Sequence, residues 1–175
     1  DILEKCKFCD VHIPKIYDIL IKTGHEQGKT NREPQTADPF ADIVELESKS
    51  AGERWDYWKK QFGKCIRCYG CRQVCPLCYC KECIADQNVP QWILPSVSLK
   101  GNSAWNIIRA YHLAGRCIGC GECERVCPVG IPLSKLNKKM SKEIKELFDY
   151  SSGENSEVKP PLDDFKEKDP QDFIK

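Results

Sequence analysis

Thirteen cysteines in 175 residues are the side chains with the most chemistry to offer, and eight of them fall in two runs of one pattern. Cys65, Cys68, Cys71 and Cys75-Pro76 follow C-x2-C-x2-C-x3-C-P, and so do Cys117, Cys120, Cys123 and Cys127-Pro128. The two runs align without gaps at an offset of 52 residues, and seven of the twelve positions from Cys to Pro are identical. Two copies of one half-module imply a pseudo-twofold pair. Three thiolates spaced two residues apart grip three irons of one cubane, with the backbone N–H groups of short loops directed at the sulfurs. The x3-C-P extension puts a fourth cysteine beyond a turn, facing away, and the proline ends any helix there. Structural zinc uses four thiolates, commonly as two C-x2-C pairs, and this triple spacing is not a zinc spacing.

In two-cluster ferredoxins the fourth cysteine of each run ligates the other cluster. Applied here, Cys65, Cys68, Cys71 and Cys127 hold one 4Fe-4S cluster, and Cys117, Cys120, Cys123 and Cys75 hold the second. Each half is then stitched to the other through metal. Five cysteines remain, Cys6, Cys9, Cys78, Cys80 and Cys83. Cys6 with Cys9 and Cys80 with Cys83 form two C-x2-C pairs, one complete four-thiolate site for a third 4Fe-4S cluster. Zinc is able to occupy the same ligands, and Cys78 is able to replace either neighbour. Disulfides do not fit, because the cysteine count is odd, no apolar signal-type segment opens the chain, and eight cysteines have ligand spacing. A reducing, cytoplasmic and quite anoxic setting is expected, since cluster thiolates must stay reduced.

With 27 basic and 26 acidic side chains the chain is almost neutral, and no basic patch interleaved with aromatics suggests nucleic acid. No run of 18 apolar residues predicts direct membrane insertion. The segment Thr23 to Thr30 ends like a phosphate loop, but Thr23 stands where the first glycine is required. His12, His25 and His112 show no H-x-x-H pairing and read as surface or packing residues. Arg67 and Arg72 flank the first cysteine run where Glu122 and Glu124 sit in the second. This charge difference either separates the two cluster potentials or belongs to solvated loops.

Three parts must position these ligands. Residues 1–52 read as an N-terminal arm with a cysteine pair and a polar, turn-rich stretch from Thr23 to Pro39. Residues 53–150 read as the cluster domain. It begins with a short helix from Glu53 to Phe62 that places Trp55, Trp58 and Phe62 on one face. Ala104 to Leu113 has helical character with a stop at Gly115, and Ser134 to Phe148 keeps a clean 3.6-residue period through Leu136, Met140, Ile144 and Leu147. The opposite face of that last helix is lysine and glutamate and is expected in water. Residues 151–175 are Gly, Ser, Pro and charge, a tail by composition, with Phe165, Phe173 and Ile174 as anchors for a neighbouring subunit.

From Trp55 to Met140 the chain resembles the polyferredoxin-like small subunits of anaerobic hydrogenase, formate dehydrogenase and tungsten-enzyme complexes. Lys64-Cys65-Ile66-Arg67-Cys68-Tyr69-Gly70-Cys71, running into Cys75-Pro76-Leu77-Cys78-Tyr79-Cys80-Lys81-Glu82-Cys83, together with His112-Leu113-Ala114-Gly115-Arg116-Cys117, is similar to the iron-sulfur subunit family of class II benzoyl-coenzyme A reductases. That resemblance implies three clusters, a tungstopterin catalytic partner, and aromatic-acid degradation through reduction of benzoyl-CoA to a cyclic dienoyl-CoA. The expectation is an α+β, bacterial-type dicluster ferredoxin core in a hetero-oligomer, relaying electrons between an external donor and a catalytic subunit and catalysing nothing alone. The alternatives are a relay subunit of a hydrogenase or formate dehydrogenase complex, a free soluble ferredoxin, and a zinc-organised scaffold.

Overall fold

A computed structural model describes residues 16–21, 38–165 and 167–168. Among the described residues six helices follow one another: α1 (Ala41–Glu47), α2 (Ala51–Gly63), α3 (Gly70–Gln73), α4 (Leu99–His112), α5 (Glu122–Arg125) and α6 (Leu133–Phe148). Loops make up the rest, and no strand occurs among the described residues. The sheet half of the α+β expectation is therefore not found there. The segments flanking each cysteine run are helical instead, with α2 leading into the first run and α6 leaving the second.

The expected helix from Glu53 to Phe62 is α2, started by a reciprocal cap in which the Ser50 hydroxyl accepts from Glu53 N (3.3 Å) and the Glu53 carboxylate accepts from Ser50 N (2.9 Å). Phe62 is buried and stacks on Trp58, while Trp55 is 48% exposed, so the three aromatics do not share one buried face. Helix α4 begins five residues before the expected Ala104, with the Ser98 hydroxyl accepting from Gly101 N at 3.2 Å. It packs on α2 and α6, and α3 packs on its repeat partner α5.

Helix α6 matches its predicted span to within one residue. Its lysine face is not simply in water. Helix α1, which lies within the expected arm, buries Ile43 and Leu46 and packs on α6. There Lys138 pairs with Asp42 at 2.9 Å, Lys142 with Glu47 at 2.5 Å, and Lys139 with Glu47 and Glu143. Lys139 and Lys142 hold the Glu47 carboxyl below its usual range. Because these pairs are partly exposed they add little, and the buried Ile43 and Leu46 hold α1 in place.

The described part of the tail also folds back on the chain. Asp163 pairs with Arg116 at 3.1 Å, and Pro161 lies against Gly115, immediately before the second cysteine run. Phe165 is exposed, and Phe173 and Ile174 lie outside the described residues. Among the described residues no helix is long and apolar enough to cross a membrane.

Candidate metal centre

The two cysteine loops share a backbone despite different side chains. In the second, Gly119 (φ 68°) and Gly121 (φ 76°) take left-handed conformations. The aligned positions of the first are Arg67 (φ 59°) and Tyr69 (φ 57°), where a side chain makes this conformation unfavourable by about 1–2 kcal/mol. Both side chains are anchored. Arg67 is buried and donates to the carbonyls of Gly101 (2.8 Å) and Leu94 (3.0 Å) and to the Tyr69 hydroxyl (2.9 Å). The Tyr69 ring meets Trp105 edge-on at 4.9 Å. The left-handed turns bring N–H groups to sulfur: Gly119 N donates to Cys117 Sγ and Ile131 N to Cys127 Sγ, each at 3.4 Å. A third donor is a side chain, Asn137 of α6, whose Nδ2 lies 3.6 Å from Cys123 Sγ.

Cys65 and Cys71 of the first run and Cys127 of the second pack against one buried cluster of Cys123, Ile131 and Leu133. Cys75, from the first run, lines one cavity of about 540 Å³ with Cys117, Cys120 and Cys123 of the second. Cys68 is exposed. Cys78, Cys80 and Cys83 line a neighbouring cavity of about 470 Å³, while Cys6 and Cys9 lie outside the described residues. None of the eleven described cysteines is in a disulfide.

The donors suit a polynuclear thiolate-bound centre. Every candidate ligand is a cysteine, and among the described residues no three His, Cys, Asp or Glu side chains converge closely enough to hold a single metal ion. They border cavities instead. Burial pushes the thiols of Cys71, Cys117 and Cys123 up, that of Cys123 to about 11. A hydrogen bond from Cys78 pulls Cys75 down to about 5 and pushes Cys78 up in return. Metal loading must therefore displace protons from the buried thiols.

The charged flanks of the loops are occupied structurally. Glu124 accepts from Ser134 N (3.1 Å) and from its hydroxyl, capping α6. Glu122 pairs with Arg125 at 2.6 Å and Arg72 with Asp86 at 2.7 Å. Sequence reasoning passed over the polar groups that hold the loops. Asn102 of α4 donates through Nδ2 to the carbonyls of Phe62 (3.0 Å) and Cys65 (2.8 Å), and Arg109 donates through Nη2 to the carbonyl of Cys71 (2.9 Å). The available signal was the recurrence of polar residues at 102, 106 and 109, one helical face, just before the second run.

The family model for the 4Fe-4S dicluster domain matches residues 64–132. The F420-dependent formate dehydrogenase subunit beta of Methanocaldococcus jannaschii is 38% identical over 106 residues, covering 60% of this chain and 27% of that protein. The F420-dependent formate dehydrogenase 1 subunit beta of Methanococcus maripaludis is 36% identical over 106 residues, covering 60% of this chain and 26% of its own length. This chain thus spans about a quarter of the length of these curated relatives. Neither name mentions benzoyl-coenzyme A or tungstopterin, and the resemblance to a benzoyl-coenzyme A reductase subunit gains no support from them. With the repeated cysteine runs and the matched family together, the chain carries a 4Fe-4S dicluster ferredoxin-like domain over residues 64–132.

Proposed function

We propose that the chain is the iron-sulfur electron-relay part of a formate dehydrogenase-type oxidoreductase, working beside a catalytic subunit and an external electron donor or acceptor. Its homology to two formate dehydrogenase beta subunits favours this over the benzoyl-coenzyme A reductase reading. In this reading Cys65, Cys68, Cys71 and Cys127 hold one cluster, and Cys117, Cys120, Cys123 and Cys75 the other. The observation that supports it is that Cys75 of the first run lines one cavity with Cys117, Cys120 and Cys123 of the second. Cys80 and Cys83 stand ready for a third cluster together with Cys6 and Cys9, beside Cys78 in the same cavity.

A bound 4Fe-4S cluster supplies one-electron transfer without bond making at the protein. The chain's own residues supply the rest. Ile131 N, Gly119 N and the Asn137 amide direct donors at ligand sulfurs. The half-buried Cys75, the buried Cys123 and the apolar Ile131 and Leu133 limit water at the centre. Trp55, exposed beside Trp58, Ile43 and Leu46 in a cleft between α1 and α2, is the apolar surface offered to a catalytic partner.

Anaerobic purification from native cells, with metal analysis and identification of the co-purifying subunits, tests this reading. It predicts a larger formate-oxidising partner, clusters that bleach when formate is added, and about twelve irons per chain at four per cubane. About eight irons with one zinc would remove the third cluster and leave the first two. A partner that reduces benzoyl-CoA and ignores formate would overturn the formate assignment, and an iron-replete monomer without partner would favour a free ferredoxin.

A further inference from the structure

One cation sits between the two cysteine sets. Arg109, on the buried face of α4, is 4% exposed. Its side chain borders both cavities, the one lined by Cys75, Cys117, Cys120 and Cys123 and the one lined by Cys78, Cys80 and Cys83. The 2.9 Å bond from Nη2 to the Cys71 carbonyl ties it to the first run as well. Its charge acts on Cys71, Cys75, Cys78 and Cys123 together, while its Nε is buried without a partner. Among the described residues no carboxylate pairs with it.

A guanidinium withdrawn from water costs several kcal/mol unless a countercharge meets it. Neutral thiols do not supply one. Thiolates bound to iron do, and every residue that Arg109 acts on in common with both runs is such a candidate ligand. We propose that Arg109 is the shared countercharge of the two 4Fe-4S clusters and sets their reduction potentials together. The inference rests on the two-cluster relay reading. Each cluster gains one negative charge when it accepts one electron from the external donor, and a nearby fixed cation favours that reduced form. Both midpoints are raised by the same side chain. Arginine suits the task because it keeps its proton on burial. Holding the Cys71 carbonyl is a separate, structural contribution, and it must be told apart from the charge.

Arg109→Gln removes the charge and keeps an amide donor for the carbonyl, and Arg109→Lys keeps the charge. In the full chain, purified anaerobically, iron and sulfide per chain are measured first and the two midpoints then follow from a redox titration read by electron paramagnetic resonance. Arg109→Gln is expected to keep the parent's iron and to lower both midpoints, and Arg109→Lys to leave both close to the parent values. Leu77 borders the same two cavities, so Leu77→Glu introduces the opposing charge with Arg109 in place, and it is expected to lower the midpoint of the cluster assigned to Cys75, Cys117, Cys120 and Cys123. This second variant decides the matter if Arg109→Gln loses iron. Unmoved midpoints or movement of one cluster only in an iron-replete Arg109→Gln, an equal fall in Arg109→Lys, or an unmoved midpoint in Leu77→Glu would each overturn the proposal. Absence of two clusters from the parent protein is a different failure, that of the relay reading, and the iron count alone reveals it.

Discussion

Replacing Asn102 with alanine is expected to loosen the first cysteine run from the helix that supports it. Asn102 is 1% exposed, and its amide donates to two carbonyls, one at the end of α2 and one on the first candidate ligand. The two acceptors are not equivalent. The Phe62 carbonyl also receives Cys65 N at 3.1 Å, whereas for the Cys65 carbonyl the Asn102 amide is the described donor. Loss of the bond to Phe62 costs about 0.5–1.5 kcal/mol, and stranding the Cys65 carbonyl about 1–3 kcal/mol. Asn102 Oδ1 is itself buried without a partner, so deleting it relieves part of that sum and puts the net near 2 kcal/mol. Cluster loss is irreversible, so the proper readout is a rate. First-order bleaching near 400 nm in excess chelator should accelerate by about 30-fold if the full 2 kcal/mol appears in the barrier. Asn102→Asp should be faster still, because it sets a carboxylate against two carbonyl oxygens. Alanine and aspartate variants that both bleach within twofold of the parent would refute the reasoning.

Cys71→Ala and Cys127→Ala should each remove the same cluster and about half of the iron of the dicluster domain, measured by iron analysis and spin quantitation. Loss by Cys127→Ala of the cluster on Cys117, Cys120 and Cys123 would refute the crossed assignment. Gly115→Ala should destabilise by about 1–2 kcal/mol because φ is +68° and a Cβ would stand 3.0 Å from Pro161 Cδ. Limited proteolysis after Ser151 should quicken in that variant while iron content stays at the parent level, and an unchanged cleavage rate would show that Pro161 does not hold the tail.

The cysteine spacing alone marked the 4Fe-4S dicluster domain, because ligand geometry is imposed by a rigid cluster and leaves a rigid pattern. Helix α6 was legible for a similar reason, since Leu133 and Ile144 are buried against the domain at helical intervals. Helix α4 was read short. Its first turns contain Gly101, Asn102 and Ser103, weak helix formers, and its buried face bonds to backbone carbonyls through Asn102 and Arg109 instead of presenting an apolar stripe. Hydrophobic periodicity is blind to such a face. Helix α1 escaped because seven residues with two buried apolar side chains are too few to show a period. Arg67, read from the sequence as a charged flank of the first run, turns out to be a buried anchor, and no local signal distinguishes the two.

The left-handed pairs in the two loops bear on how freely each half is able to vary. At Gly119 and Gly121 the backbone conformation is met by the residue type itself, and an added Cβ at either position would meet nothing within 4 Å. No side chain is needed at these two positions to hold the turn. At Arg67 and Tyr69 the same conformation is maintained against intrinsic preference by bonds to Leu94 and Gly101 and by the edge of Trp105. Those partners belong to the segment between the two runs, so the first loop and that segment have become mutually dependent. Transplanting the second loop's glycines into the first would relax the chain locally and strand the carbonyls that Arg67 serves. Two copies with one backbone are thereby not interchangeable, because the first loop alone leans on the segment between the runs.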